Sequence, residues 1–297
     1  MDFLFCLAHF CEVHGPTPII CTQAILDSTR PDHEQTQEQQ FTQVPEHDNL
    51  DDLLESSCVP SAGSSRGCAS CSMSLPADDS VTVLRSTEKS IPTDGRTLVY
   101  LSTPNARSQA RYAALRQVCM NSLSLDPFTS SSAVMFGDGQ TGYAIALFFR
   151  IRDDMARGNS RSYALICMND VETQLQECWS IVVPAFEDMV RWISVDADAA
   201  RAAVLSPSAS MTASMPTMPL GKGMTGQAEM SLPNILVDGY SPDRYLRRQH
   251  EPKPRNLVDL TGQKDIFVHI HLSFTVILSA LCREIAKGTI RSVNTRF

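Results

Sequence analysis

The chain has 297 residues, 43% of them hydrophobic, and a formal net charge of -8, enough apolar material for one core of ordinary size. An acidic balance, with a pI of about 5.4, excludes a general nucleic-acid binder, which needs a basic face to displace counterions from phosphates. No basic helix of the membrane-surface type stands out either.

The first residues, MDFLFCLAHFCEVHGP, are apolar but place an acid at position 2 and are interrupted by His9, Glu12 and His14, so they do not read as a cleaved signal peptide. Residues 3–13 carry Phe and Leu on both alternating faces, as in a strand covered on both sides. The turn His14-Gly15-Pro16 and a second strand over 17–26 complete a hairpin. Residues 27–96 then shift to Gln, Ser, Asp, Glu and Pro, too poor in large apolar groups to offset the entropy of ordering, and are expected to be a disordered insertion.

Order returns at Thr103-Pro104, read as an N-cap and first-turn proline of a helix reaching about 124, with Leu115, Val118 and Cys119 on one face. Three strands follow, at 133–137, 143–152 and 161–169, joined by Gly137-Asp138-Gly139 and by the ARGNSR stretch into an antiparallel meander. Asp170 is placed to cap a long helix to about 204, with Leu175, Cys178, Val182, Phe186, Met189, Val190 and Ile193 as its apolar stripe and a kink or break at Pro184. Residues 205–256 read as a disordered linker rich in Ser, Pro, Met and Gly. A last helix over about 265–287 carries Phe267, Ile270, Phe274, Ile277, Leu278, Leu281 and Ile285 at helical spacing. Its apolar run over 266–281 falls short of the roughly 20 residues of a membrane span.

The predicted architecture is an α+β domain, a five-stranded antiparallel sheet with helices on its two faces, assembled from residues 1–26, 97–204 and 257–290. The ten cysteines are scattered through apolar runs, where a free thiol packs as a small hydrophobe, so reduced thiols in an intracellular protein are expected.

Self-contained enzyme motifs are absent: neither GxxxxGK[ST] nor GxSxG nor HExxH occurs. His269 and His271 flank one position and point in different directions on a helix. Cys68-Ala69-Ser70-Cys71 is a C-x-x-C pair, but a zinc site needs two further ligands and the nearby cysteine is Cys58. No cofactor or metal is therefore expected; Cys68 and Cys71 remain metal candidates, with a partner supplying ligands, beside an unstructured or regulatory role. Arg152, Arg157 and Arg161 cluster at the third hairpin of an acidic chain. Solvation explains them by default; the functional alternative is a rigid tip that inserts an arginine into a partner and delivers a permanently charged fork to developing phosphoryl charge.

Several of these stretches resemble the folliculin family: CLAHFCEVHGPTPIICTQ at the start, the CASC pair, RQVCMNSLS, MFGDGQTGY, DDMARGNSRSYA and HIHLSFTVILSAL. The resemblance implies a longin domain that pairs with a folliculin-interacting-protein-like longin/DENN protein. It further implies stimulation of GTP hydrolysis by a Rag-type small GTPase, in amino-acid signalling to the TOR complex at the vacuolar or lysosomal membrane surface. By this resemblance Arg157 is the arginine finger, supplied in trans by a protein that is not itself an enzyme, and Arg161 has a supporting role; Arg152 stays with the solvated strand. The chain stops near where the large DENN domain of animal folliculins starts, so it looks like the short fungal form or a fragment. A non-catalytic longin scaffold for a signalling or trafficking complex is the alternative.

Overall fold

The computed structural model describes residues 3–27, 68–75, 83–88, 97–124, 132–205 and 254–290. In chain order the elements are β1 (Leu4–Cys11), β2 (Gly15–Asp27), β3 (Leu84–Glu88), β4 (Thr97–Thr103), α1 (Gln109–Ser124), β5 (Val134–Asp138), β6 (Gly142–Arg152), β7 (Ser160–Asn169), α2 (Glu172–Leu205), α3 (Leu257–Thr261) and α4 (Ile266–Ala286). Short 3-10 turns occupy Ala69–Cys71 and Arg157–Asn159. The strands form one antiparallel sheet in the order β3-β4-β2-β1-β7-β6-β5. The expected hairpin and meander are both present, and direct pairing of β1 with β7 fuses them.

Strand alternation sorts the side chains onto two faces. Phe3, just before β1, and Phe5 and Leu7 of β1 join Tyr163 and Leu165 of β7 in one cluster, completed by Phe186 of α2 and Phe274 of α4. Leu4, Cys6 and Ala8 point the other way, to Ala144, Ala146 and Ala164, where Leu115, Val118 and Cys119 of α1 cover them. Small residues under α1 let that single helix approach closely. The opposite face is built from bulk instead: the Phe5 ring meets Phe186 edge-on at 5.9 Å and Phe274 at 5.5 Å.

The sheet has seven strands where five were expected. Of the additional strands, β3 lies inside the segment expected to be disordered, whereas β4 follows it directly, in residues 97–103, expected in the domain but in no strand. TLVYL of β4 is a continuous apolar run, with Leu98 to Leu101 all buried between β2 and β3; its local pattern was hidden by polar neighbours. Thr103 consequently ends a strand and does not cap a helix. Ser108 takes that role, its Oγ accepting from the Arg111 N–H at 3.1 Å. Asp170 also does not cap α2: it pairs with Arg111 at 3.0 Å, while Asn169 Oδ1 accepts the Val171 N–H at 2.8 Å.

Helix α2 runs unbroken through Pro184. Proline removes the N–H that the carbonyl of Ser180 would receive; both residues face solvent, where water can satisfy that carbonyl. Helix α4 has 21 residues and is long and apolar enough, by length and composition, to cross a membrane, more than the expected run over 266–281. Its apolar residues Ile266, Phe267, Ile270, Phe274, Leu278 and Leu281 are nevertheless buried in the core.

His271 is a polar residue on α4's buried face, as is Ser279. The His271 Nδ1 lies 2.6 Å from Ser102 Oγ on β4 and its Nε2 3.1 Å from Ser86 Oγ on β3, so a neutral ring can donate on one side and accept on the other. Burial lowers its pKa to about 4. With the folded value below the unfolded one of roughly 6.5, the unfolded chain binds this proton first as pH falls. The contribution is complete above about pH 6.5 and is lost as pH falls toward 4, by about 3 kcal/mol in all. Urea titrations at pH 7 and pH 4.5 are expected to show a smaller loss of stability in His271→Gln than in the wild type; parallel losses would contradict this.

Candidate functional site at the β6–β7 tip

Pairing of β6 with β7 continues down to Arg152 opposite Ser160, leaving residues 153–159 as the tip. Its backbone closes on itself: the Asp153 N–H donates to Asn159 O at 3.1 Å, Ala156 N–H to Asp153 O at 3.0 Å and Asn159 N–H to Ala156 O at 3.1 Å. The last turn needs left-handed backbone at Gly158 (φ 73) and Asn159 (φ 56), the two residue types that tolerate it best. The ARGN sequence therefore specifies a compact loop.

The three arginines go to three different environments. Arg152 is exposed at the end of β6 and Arg157 is exposed at the tip. Arg161 is only 5% exposed, in the base of the loop: its Nε donates to Asp153 Oδ2 at 2.6 Å, and Asp153 Oδ1 accepts from Arg255 Nη1 at 3.1 Å. Burial by itself would push the Asp153 carboxyl up, but the hydrogen bonds from Arg161 and the Met155 N–H, with the charges of Arg161 and Arg255, hold it below the usual carboxylate range. Arg255 also donates to the Asp259 carbonyl of α3 at 2.6 Å, and Arg201 of α2 pairs with Asp154 at 3.2 Å. Two helices thus hold the tip from behind.

Arg157 is fixed through its backbone. Its N–H donates to Glu12 Oε1 at 2.7 Å, which ties the tip to the β1–β2 turn, and among the described residues no carboxylate pairs with its guanidinium. The arrangement is a rigid loop carrying a solvent-facing cation.

The same β1–β2 turn meets the C-x-x-C pair. Cys11, His14, Cys68 and Cys71 place one donor atom each within 4.8 Å of all the others. Cys11 Sγ stands 3.7 Å from Cys68 Sγ and 3.6 Å from His14 Nδ1, and Cys71 Sγ stands 3.5 Å from His14 Nδ1. His9, buried under Tyr163 with ring centroids 6.0 Å apart, has its Nε2 3.3 Å from Cys71 Sγ. Arg161 Nη1 donates to Ser70 Oγ between the two cysteines at 3.5 Å. Sequence reasoning sought two further ligands near Cys68 and Cys71 and named Cys58, which lies outside the described residues. It missed Cys11-Glu12-Val13-His14, a C-x-x-H pair with the same spacing, because that stretch reads first as a strand end and turn.

The family model for folliculin, described as a vesicle coat protein involved in Golgi to plasma membrane transport, matches residues 98–281. The folliculin-like protein bhd1 of Schizosaccharomyces pombe is 24% identical over 94% of this chain and 98% of its own length. Protein LST7 of Saccharomyces cerevisiae is 24% identical over 94% of this chain and 96% of its own. Folliculin of Xenopus tropicalis is 24% identical over 95% of this chain, which spans 46% of that longer protein.

Proposed function

This chain belongs to the folliculin family, and we propose that it is a GTPase-activating subunit that carries Arg157 into the nucleotide site of a Rag-type small GTPase. The observation that carries the reading is the exposed Arg157 on a loop braced by Glu12, Asp153 and Arg201. An arginine finger needs a permanent, forked cation held in advance where phosphoryl charge develops, since an arginine that must first be ordered loses much of its effect. The sheet flanked by helices fits a longin domain, the module through which a folliculin-interacting-protein-like partner would pair. The site of action is the vacuolar or lysosomal membrane surface, in amino-acid signalling to the TOR complex. The chain itself is no enzyme in this reading; it completes the catalytic site of another protein.

The description attached to the family, a coat protein in Golgi to plasma membrane transport, favours a second reading, a non-catalytic longin scaffold for a trafficking or signalling complex. GTP hydrolysis by each Rag-type GTPase with the reconstituted pair, wild type against Arg157→Ala, separates the two. Stimulation that survives the substitution sinks the first.

A further inference from the structure

We propose that Cys11, His14, Cys68 and Cys71 form a structural zinc site that fastens the segment around residues 68–75 to the β1–β2 turn and seats the Arg157 tip. Zinc bonded to thiolate sulfur at about 2.3 Å and to imidazole nitrogen at about 2.0–2.1 Å in a tetrahedron sets sulfur atoms about 3.8 Å apart and sulfur to nitrogen about 3.6 Å apart. Cys11 and Cys68 sulfurs stand 3.7 Å apart, Cys11 and Cys71 sulfurs stand 3.6 and 3.5 Å from His14 Nδ1, and all four donor atoms lie within 4.8 Å of one another. Three soft sulfurs and one imidazole are a donor set that selects zinc among common divalent ions.

Thiol proximity alone is not the reason, since Cys6 and Cys21 also stand 3.7 Å apart in the apolar core. What distinguishes this cluster is four donors of the right kinds, delivered as two C-x-x pairs from segments 57 residues apart. A backbone N–H supports one ligand, Val13 donating to Cys11 Sγ at 3.4 Å, and the Cys71 N–H donates to the Cys68 carbonyl at 3.1 Å, which holds the C-x-x-C turn closed. The Val13 donor favours the Cys11 sulfur in its charged form. His9, donating from Nε2 to Cys71, is the outer partner that fixes a ligand's orientation. On binding, three thiols release their protons, His14 binds as neutral imidazole through Nδ1, and the Zn(S)3N unit carries a net charge of -1.

The site touches the tip twice. Glu12, inside the Cys11–His14 pair, holds the Arg157 N–H, and Ser70, inside the Cys68–Cys71 pair, accepts from Arg161. A clip that closes a long loop removes much chain entropy, so it can hold the segment around residues 68–75 on the β1–β2 turn. The metal site stands on the cluster geometry; its consequence for hydrolysis rests on the finger reading above.

The test uses the full chain, purified in reducing buffer, with zinc and iron measured by plasma mass spectrometry. Zinc is expected to be equimolar with the chain in the wild type and in Arg157→Ala, and to fall to background in Cys68→Ser/Cys71→Ser and in Cys11→Ser. Because a cysteine variant can lose metal by unfolding, the wild type is also exchanged with cobalt(II). Intense sulfur-to-cobalt charge-transfer bands with tetrahedral d–d bands are expected. Wild type without zinc, zinc retained in the cysteine variants, an octahedral cobalt spectrum, or a Cys11–Cys68 disulfide in the reduced preparation would each overturn the site. Failure of the finger reading shows separately, as stimulation unaffected by Arg157→Ala with zinc still equimolar.

Discussion

Replacing Arg157 with alanine is expected to return GTP hydrolysis by the Rag-type GTPase to its basal rate while the complex still assembles. The loss is large because a finger stabilises charge that exists only in the transition state; such arginines contribute on the order of 10³ to 10⁵ in rate. The substitution should leave the fold intact, since the side chain is exposed and the bond that holds the tip comes from the backbone N–H. Arg157→Lys is the informative companion: it keeps the charge but not the planar fork, and most of the stimulation should still be lost. Arg152→Ala, at an exposed strand end, should retain it. Single-turnover hydrolysis with saturating complex measures the chemical step, and a parallel binding assay shows that assembly is unchanged. Equal rates for wild type and Arg157→Ala would remove the catalytic assignment and leave the scaffold.

Asp153→Ala is expected to be the most destabilising of the tip substitutions. Asp153 is fully buried and pairs with Arg161, whose side chain is only 4% exposed; removing the carboxylate takes the Asp153 counter-charge from a buried guanidinium. Breaking one partner of a buried pair costs about 3–5 kcal/mol, which for a domain of this size lowers Tm by roughly 6–20 °C. Removing both charges should be gentler, because desolvation is then no longer opposed by a missing partner: Asp153→Leu with Arg161→Met is expected to recover much of the loss. Arg255 is about one-third exposed and can turn to water. Scanning calorimetry of the two variants decides the matter, and a Tm for Asp153→Ala equal to that of the wild type would refute the account. Arg161, buried on Asp153, is placed as an anchor under the loop.

Much of the domain was legible from local pattern. The short two-faced apolar run LFCLAHFC, the turn at His14-Gly15-Pro16 and the second run after it marked the hairpin, and the stripe from Leu175 to Ile193 marked α2, because burial leaves its imprint on the sequence. The arginine tip was visible for a similar reason: Gly158 and Asn159 mark a left-handed turn between two apolar runs. Strand β4 escaped because a short apolar run in polar surroundings carries no turn signal to set it apart, and β3, partly polar at Arg85, Ser86 and Glu88, becomes a strand through its pairing with β4.

The sequence by itself determined the type of most elements, the apolar faces they bury, and membership in a family through motifs spread along the chain. Only the tertiary structure decided that β1 pairs with β7, that Arg161 is buried on Asp153 while Arg157 is not, and that a C-x-x-H turn and a distant C-x-x-C turn meet in one cluster. The division has one cause. Periodicity and turn chemistry act over a few residues and leave a local imprint, whereas partners 57 residues apart are chosen by strand order and closure of the core, which no short stretch of this chain encodes.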